Sequence, residues 1–293
     1  MNRLLTALQY SKRVKNRKER LLPSFIIIGA TRAGTTSLYE YLGNHPNILQ
    51  PIVKETAFFN HIYHINPNWY RTFFPTVSEQ EETKKQRNKE FIITSEATPS
   101  YLIDPRVPKR ISKMLPNVKL IVLLRNPIER ALSHYHHNVL TGIENLSFEQ
   151  AITKETERIT KSFDKLKNKK FIINDNSINY FFRVMTFKTE NYFKFSYLQS
   201  GRYYEHLKNW MMIFPKKQLL IIKSEDFFDS PKNIFKEVQE FLNLPNFDLV
   251  NYWRAWEIKY PPIDNKLRKS LSEYFQEHNS KLYKFLNTDF NWK

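Results

Sequence analysis

The sequence predicts one α/β domain organised around a parallel sheet, and three observations carry that prediction. Apolar, strand-forming runs recur along the chain: Phe25–Gly29, Phe91–Thr94, Lys119–Leu124 and Leu219–Ile222. Stretches with apolar residues at helical spacing separate them, so strands alternate with helices. No Gly/Ser-rich linker, internal repeat or low-complexity segment divides the 293 residues.

Residues 1–22 read as a basic arm (Arg3, Lys12, Arg13, Lys15, Arg17, Lys18, Arg20) without the apolar stretch of a secretion signal. A solvated helix is the preferred reading of that arm, and peripheral contact with an anionic membrane is the other. The domain then occupies 23–293. Its first strand runs into Gly29-Ala30-Thr31-Arg32-Ala33-Gly34-Thr35-Thr36-Ser37-Leu38, where Leu38, Tyr41 and Leu42 mark the inner face of a helix. A strand, a Gly-bracketed turn and a helix N-terminus form an anion cradle of backbone N–H groups and helix dipole. Gly29 and Gly34 have the spacing of a phosphate-binding P-loop, but Thr35 stands where its lysine belongs and Arg32 supplies a cation inside the loop. The fold expected is therefore P-loop-like, three layers with the sheet between helices.

Further along, His45-Pro46-Asn47-Ile48 reads as a turn, and Lys54-Glu55-Thr56-Ala57-Phe58-Phe59-Asn60 follows. Trp69, Tyr70, Phe73 and Phe74 read as packing. The densely charged stretch 78–90 has no apolar anchor and reads as an exposed loop. The strand Phe91–Thr94 would leave Ser95–Tyr101 at its carboxyl end. A helix over 108–115 precedes the strand 119–124, and another runs from about Ile128 to Leu140 with Leu132, Tyr135 and Val139 on one face. Residues 147–175 read as a charged helical pair, and the aromatics between Tyr180 and Tyr204 as core or cleft wall. Tyr203, Leu207, Trp210, Met211 and Phe214 stripe a helix. Asp229-Ser230-Pro231 caps one whose Phe235, Val238, Phe241 and Leu242 face inward. Trp253, Trp256 and Lys259-Tyr260-Pro261-Pro262 precede a last helix ending at Leu286.

The absence of cysteine excludes disulfides and thiolate metal sites and points to a reducing, cytoplasmic compartment, with peripheral binding at the inner membrane as the variant. A net charge of +17 points to anionic partners. A nucleoside triphosphatase would need the P-loop lysine and an acidic magnesium ligand after a second strand, and Thr35 and Arg125 stand in those places. Arginine at a strand end is a poor magnesium ligand and a good bidentate phosphate ligand. Ser133, about two helical turns beyond, can add a hydroxyl to the same phosphate. The structural alternative for Arg125 is a salt bridge to Glu129 or Glu96. The histidine pairs His61/His64 and His134/His137 lack acidic neighbours at ligand spacing, and His134 and His137 read as cleft-lining or solvated. Two cationic anion sites without a metal suit 3′-phosphoadenosine 5′-phosphosulfate.

Here the chain resembles the nucleotide-sulfate-dependent sulfotransferases, nearest the heparan sulfate N-sulfotransferase and 3-O-sulfotransferase domains and their bacterial relatives. The resemblance runs from about Ser24 onward. It rests on Ile28–Leu38, Lys54–Phe59 and Leu124-Arg125-Asn126-Pro127-Ile128-Glu129-Arg130-Ala131-Leu132-Ser133-His134-Tyr135, with support from Gly201–His206 and Lys259–Pro261. It implies that Thr31, Arg32, Ala33, Gly34, Thr35, Thr36 and Ser37 wrap the 5′-phosphosulfate. Arg125 and Ser133 would hold the 3′-phosphate, and Glu55 would be the catalytic base with Arg32 stabilising charge. Lys54, Phe58, Thr98 and Ser100 are the expected acceptor contacts, and a glycan, acidic by the charge argument, is the expected acceptor. Three departures stand out. Arg32 replaces the family's usual lysine, Ala97 replaces a further lysine of the 3-O-sulfotransferases, and their C-terminal nucleotide loop is shortened. Trp253 and Lys259 are left as the candidates to replace it. The alternatives are an atypical P-loop kinase and a non-catalytic basic protein binding nucleic acid or a membrane surface; no nucleic-acid module signature is present.

Overall fold

The structure is a computed structural model and describes residues 13, 16–63, 68–168, 190–255 and 260–292. The five strands of its sheet are β1 (Phe25–Gly29), β2 (Ile48–Leu49), β3 (Ile93–Ala97), β4 (Lys119–Leu124) and β5 (Leu219–Lys223). They lie in the order β2-β3-β1-β4-β5 with every neighbouring pair parallel. Because β1 and β4 sit inside the sheet with both faces covered, they are continuous apolar runs and not alternating ones. Phe25 to Ile28 and Leu120 to Leu124 are fully buried.

The helices used below are α1 (Thr35–Gly43), α2 (Val77–Gln86), α3 (Val107–Met114), α4 (Pro127–Leu140), α5 (Phe148–Thr153), α6 (Glu155–Asn168), α7 (Tyr203–Met211), α8 (Ser224–Asp229), α9 (Pro231–Leu242) and α10 (Asn265–Leu286). This is the α/β architecture expected, a central parallel sheet flanked by helices. The α7 stripe is buried at Tyr203, Leu207 and Trp210, and the Trp210 indole donates to the Leu102 carbonyl at 3.1 Å. Phe235, Val238 and Leu242 of α9 and Leu271, Phe275 and Leu282 of α10 complete the core.

Four local expectations are corrected. The stretch 78–90 is not a loop: α2 forms with no buried residue, because Thr76 and Glu79 make a capping box. Thr76 Oγ1 accepts from the Glu79 N–H at 3.0 Å, and Glu79 Oε2 accepts from the Thr76 N–H at 2.5 Å. Thr76→Ala is expected to cost about 1 kcal/mol of stability, read from a urea midpoint. The strand assigned to 91–94 lies at 93–97 instead, in register with Phe25 at Ser95 and with Ile27 at Ala97. Polar Ser95 and Glu96 end the apolar run but not the strand, since the Glu96 carboxylate is satisfied by four hydroxyls (below). Val139 is 41% exposed, as α4 outruns the body of the domain in its last turn. The described part of the arm is not a solvated helix either. Arg13 Nε donates to the Thr72 carbonyl at 2.8 Å, Arg20 Nη1 donates to that of Phe74 at 2.8 Å, and Arg20 is buried.

Residues 1–12, the 180–189 part of the Tyr180–Tyr204 aromatic stretch, Trp256 and Lys259 lie outside the described residues, while Tyr192, Phe193, Phe195, Tyr197 and Tyr203 of that stretch are buried in the core. Among the described residues no helix is long and apolar enough to cross a membrane.

Candidate active site

The chain leaves β1 toward β2 and β3 on one side of the sheet and leaves β4 toward β5 on the other. The carboxyl ends of β1 and β4 therefore flank the crevice where open parallel sheets bind ligands. Loop 30–34 closes one side, and Arg125 with Asn126 closes the other.

The loop is clamped from three directions. The Ala30 N–H donates to the Leu123 carbonyl (2.8 Å), Ser224 Oγ donates to the Ala33 carbonyl (2.8 Å), and Arg125 Nη1 donates to the Arg32 carbonyl (3.2 Å). Gly34 caps α1 at φ +94°, and a Cβ there would meet Phe228 Cε1 at 2.9 Å, so both backbone and space demand glycine. The first-turn N–H groups of α1, at Thr35 and Thr36, have no partner within the helix and carry its positive dipole end.

These residues line an open cavity of about 190 Å³, bounded by Arg32, Gly34, Thr35, Thr36, Arg125 and Ser133 and by Phe228, Arg254, Ala255 and Tyr260. Three guanidinium groups converge on it. Arg32 Nε donates to Ser133 Oγ at 3.1 Å, joining the loop to α4. Arg125 Nη2 reaches Tyr260 Oη at 3.4 Å, and the Phe228 ring lies 5.8 Å from Arg125 and 4.6 Å from Arg254. Burial, and then the charge of Arg125, push the Arg32 guanidinium below its ordinary value. It stays protonated, so the cavity concentrates positive charge that an anion would relieve. The salt-bridge alternative for Arg125 does not form. Glu129 pairs with Arg268 at 2.8 Å, and Glu96 is taken up by hydroxyls.

On the other side of the loop, Lys54 Nζ donates to Thr36 Oγ1 at 2.9 Å and to Glu55 Oε1 at 3.0 Å. Glu55 is thereby tied to the anion loop while its side chain stays 53% exposed. His137 of α4 lies in the field of both groups. Its pKa is lowered by burial and by Arg32, and Glu55 opposes the shift. Buried His134 is pushed well down by desolvation and then by Arg130.

The structure brings together Arg32, Gly34, Thr35, Thr36, Arg125 and Ser133 around the cavity, with Lys54 and Glu55 at its margin. Other candidates fall elsewhere. Thr31 and Ala33 do not line the cavity, and Ser37 Oγ accepts from the Ala255 N–H at 2.9 Å. Phe58, expected at the acceptor, is fully buried against Phe59 and Tyr70, because an aromatic cluster there completes the core. Thr98 is buried and donates to Glu96 at 2.9 Å, and Ser100 accepts from Asn60 Nδ2 at 2.8 Å. Trp253 turns to Glu40, its indole donating at 3.0 Å, and Tyr41 packs on it; the next residue, Arg254, takes the place in the cavity that Trp253 was expected to fill. Phe228, Arg254 and Ala255 were not singled out from sequence: Phe228 lies in the short helix α8, Arg254 and Ala255 in the segment after α9, and neither carries a motif.

A cation-lined crevice at the switch point of a parallel sheet, closed by a Gly-bracketed loop without the P-loop lysine, has the charge and geometry of an anion-binding site in an α/β protein. The chain belongs to the sulfotransferase family: the sulfotransferase domain model matches residues 22–291. It is 29% identical over 93% of its length to a membrane-associated sulfotransferase of Dictyostelium discoideum, spanning 67% of that protein. It is 28% identical over 90% of its length to a bifunctional heparan sulfate N-deacetylase/N-sulfotransferase of Drosophila melanogaster, of which it spans 26%. A heparan sulfate glucosamine 3-O-sulfotransferase 3A1 of Mus musculus is 27% identical over 92% of the chain, which spans 64% of that relative. The crystal structure of a sulfotransferase from Alicyclobacillus acidocaldarius has the same fold, with a TM-score of 0.64, 24% identity and coverage of 92% of this chain and 98% of that one.

Proposed function

We propose that this chain moves the sulfuryl group of 3′-phosphoadenosine 5′-phosphosulfate to a hydroxyl or amine of a carbohydrate. The observation that carries the reading is the convergence of Arg32, Arg125 and Arg254 on one cavity at the N-terminus of α1. Such a cavity fits a nucleotide bearing two separate anionic arms. Arg32 with the N–H groups of Thr35 and Thr36 would hold the 5′-phosphosulfate. Arg125 and Ser133 would hold the 3′-phosphate, and Arg254 and Phe228 would wall the nucleotide.

The donor supplies the sulfuryl group. Glu55 takes the proton of the acceptor as its oxygen or nitrogen bonds to sulfur and the bond from sulfur to the bridging oxygen breaks, contributing about 10²–10⁴ in rate. Arg32 steadies the charge that develops on the leaving phosphate; arginine does this without giving up a proton. Lys54 keeps the Glu55 carboxylate beside Thr36 and so beside the loop. Relatives whose names specify heparan sulfate support a glycan acceptor, and the net charge of +17 supports an acidic one. The membrane-associated relative and the basic residues 1–22 support peripheral contact at an anionic membrane, and the lack of cysteine supports a reducing, cytoplasmic compartment.

The test is transfer of ³⁵S from the labelled donor to desulfated heparin with EDTA present. Label on the polymer, requiring no magnesium, is the expected result. Magnesium-dependent ATP turnover with no label transferred would favour the kinase reading. Salt-sensitive RNA binding without nucleotide binding would favour the basic-surface reading.

A further inference from the structure

The segment that carries Glu55 hangs from one buried carboxylate. Glu96, in β3, is fully buried and forms no ion pair among the described residues. Its Oε1 accepts from Thr56 Oγ1 at 2.5 Å, Tyr101 Oη at 2.6 Å and Thr98 Oγ1 at 2.9 Å, and its Oε2 accepts from the Tyr70 hydroxyl. Three of these hydroxyls also accept a backbone N–H from the segment after Glu55. The Ala57 N–H donates to Thr98 Oγ1 (3.4 Å), the Phe58 N–H to Thr56 Oγ1 (3.3 Å) and the Phe59 N–H to Tyr101 Oη (3.2 Å). Three successive N–H groups thus reach the same carboxylate through one hydroxyl each.

Burial pushes the Glu96 carboxyl above its ordinary value, and its hydrogen bonds with Thr56, Tyr101, Tyr70 and Thr98 oppose that shift. In the connected network each hydroxyl is oriented by the carboxyl, which leaves its oxygen turned to accept the next N–H. The segment needs such holding, because Ala57 lies at φ +50°, in the left-handed region that residues with a Cβ adopt only when their surroundings fix it. Lys54 fixes the Glu55 side chain from the loop side; the hydroxyl fan fixes the backbone that follows it, at Ala57 to Phe59, from the sheet side.

We infer that Glu96 is a positioning residue for Glu55, acting through Thr56, Thr98 and Tyr101. The inference rests on the reading of Glu55 as the base. Tyr70 supplies the internal control: its hydroxyl donates to the same carboxylate but to no backbone group of the segment, and Tyr70→Phe removes that hydroxyl while keeping the ring that packs on Phe58 and Phe59.

Thr56→Val keeps the shape and removes the hydroxyl that links Glu96 to the segment. Its kcat for label transfer to desulfated heparin is expected to fall about tenfold to a hundredfold, with the donor KM unchanged. Thr56→Ser restores the hydroxyl and the rate. Tyr70→Phe lowers Tm and leaves kcat near that of the wild type. Thr56→Val turning over at the wild-type rate, or Tyr70→Phe losing as much kcat as Thr56→Val, would overturn the inference. Glu55→Gln, assayed alongside, separates the two readings. If it is inactive while Thr56→Val is fully active, positioning by Glu96 fails alone. If it keeps the wild-type rate, both readings fall.

Discussion

Glu55→Gln is expected to lower sulfuryl transfer by about 10²–10⁴ while leaving the affinity for 3′-phosphoadenosine 5′-phosphate unchanged. The substitution keeps size and removes only the ability to take a proton. Glu55 is more than half exposed, and among the described residues its carboxylate bonds to Lys54 alone, so no core packing is lost. The ion pair with Lys54 is solvent-screened, and its loss costs at most about 1 kcal/mol of stability. Lys54 retains its bond to Thr36, which keeps the anion loop in place. Initial rates and calorimetric nucleotide binding on the same preparation check the result. A variant that turns over like the wild type would move the proton acceptor to another group, and His137, in the field of both Arg32 and Glu55, would be the first to test.

How much of this was legible beforehand follows from which signals are local. The β1 and β4 runs are buried on both faces, so their apolar continuity announced both strands within a residue of their ends. The turn between β1 and α1 was equally readable, since Gly34 at φ +94° is a backbone demand that a turn before a helix imposes locally. Charge masked α2: its capping box lies in Thr76 and Glu79, while its lack of an apolar face hid the helix. Glu96 misled in the opposite way. A carboxylate in a strand reads as a strand end until its four hydroxyl partners, drawn from three separated segments, are brought together by folding. Phe58 was expected among the acceptor contacts, and the structure shows it buried with Phe59 and Tyr70 in an aromatic cluster that only folding assembles. Arg254 has no local signature at all. Its role comes from tertiary placement, with Trp253 and Ala255 pinned to α1 through Glu40 and Ser37 so that the residue between them faces the cavity.

Arg125→Ala is expected to weaken binding of 3′-phosphoadenosine 5′-phosphate by about 2–3 kcal/mol, roughly 30- to 150-fold, the scale of charge-assisted hydrogen bonds lost from a partly desolvated site. The turn that presents Arg125 does not depend on its side chain. Tyr203 Oη donates to the Arg125 carbonyl at 2.7 Å, and Glu225 Oε1 accepts from the Asn126 N–H at 2.7 Å. Truncation breaks no ion pair among the described residues; it loses the bonds to the Arg32 carbonyl and to Tyr260, and against that loss it removes a like charge that Arg32 feels. The size of the stability change beside the affinity change therefore separates ligand binding from scaffolding. A phosphate-binding Arg125 predicts a loss of about 1 kcal/mol or less in the stability of the free protein together with collapsed nucleotide affinity. A structural Arg125 predicts that both fall together. Urea denaturation of the free variant beside calorimetric titration distinguishes the two, and a second titration at raised salt adds a check. Wild-type affinity should fall steeply with ionic strength, and that of Arg125→Ala less so, because one of the three converging charges is gone.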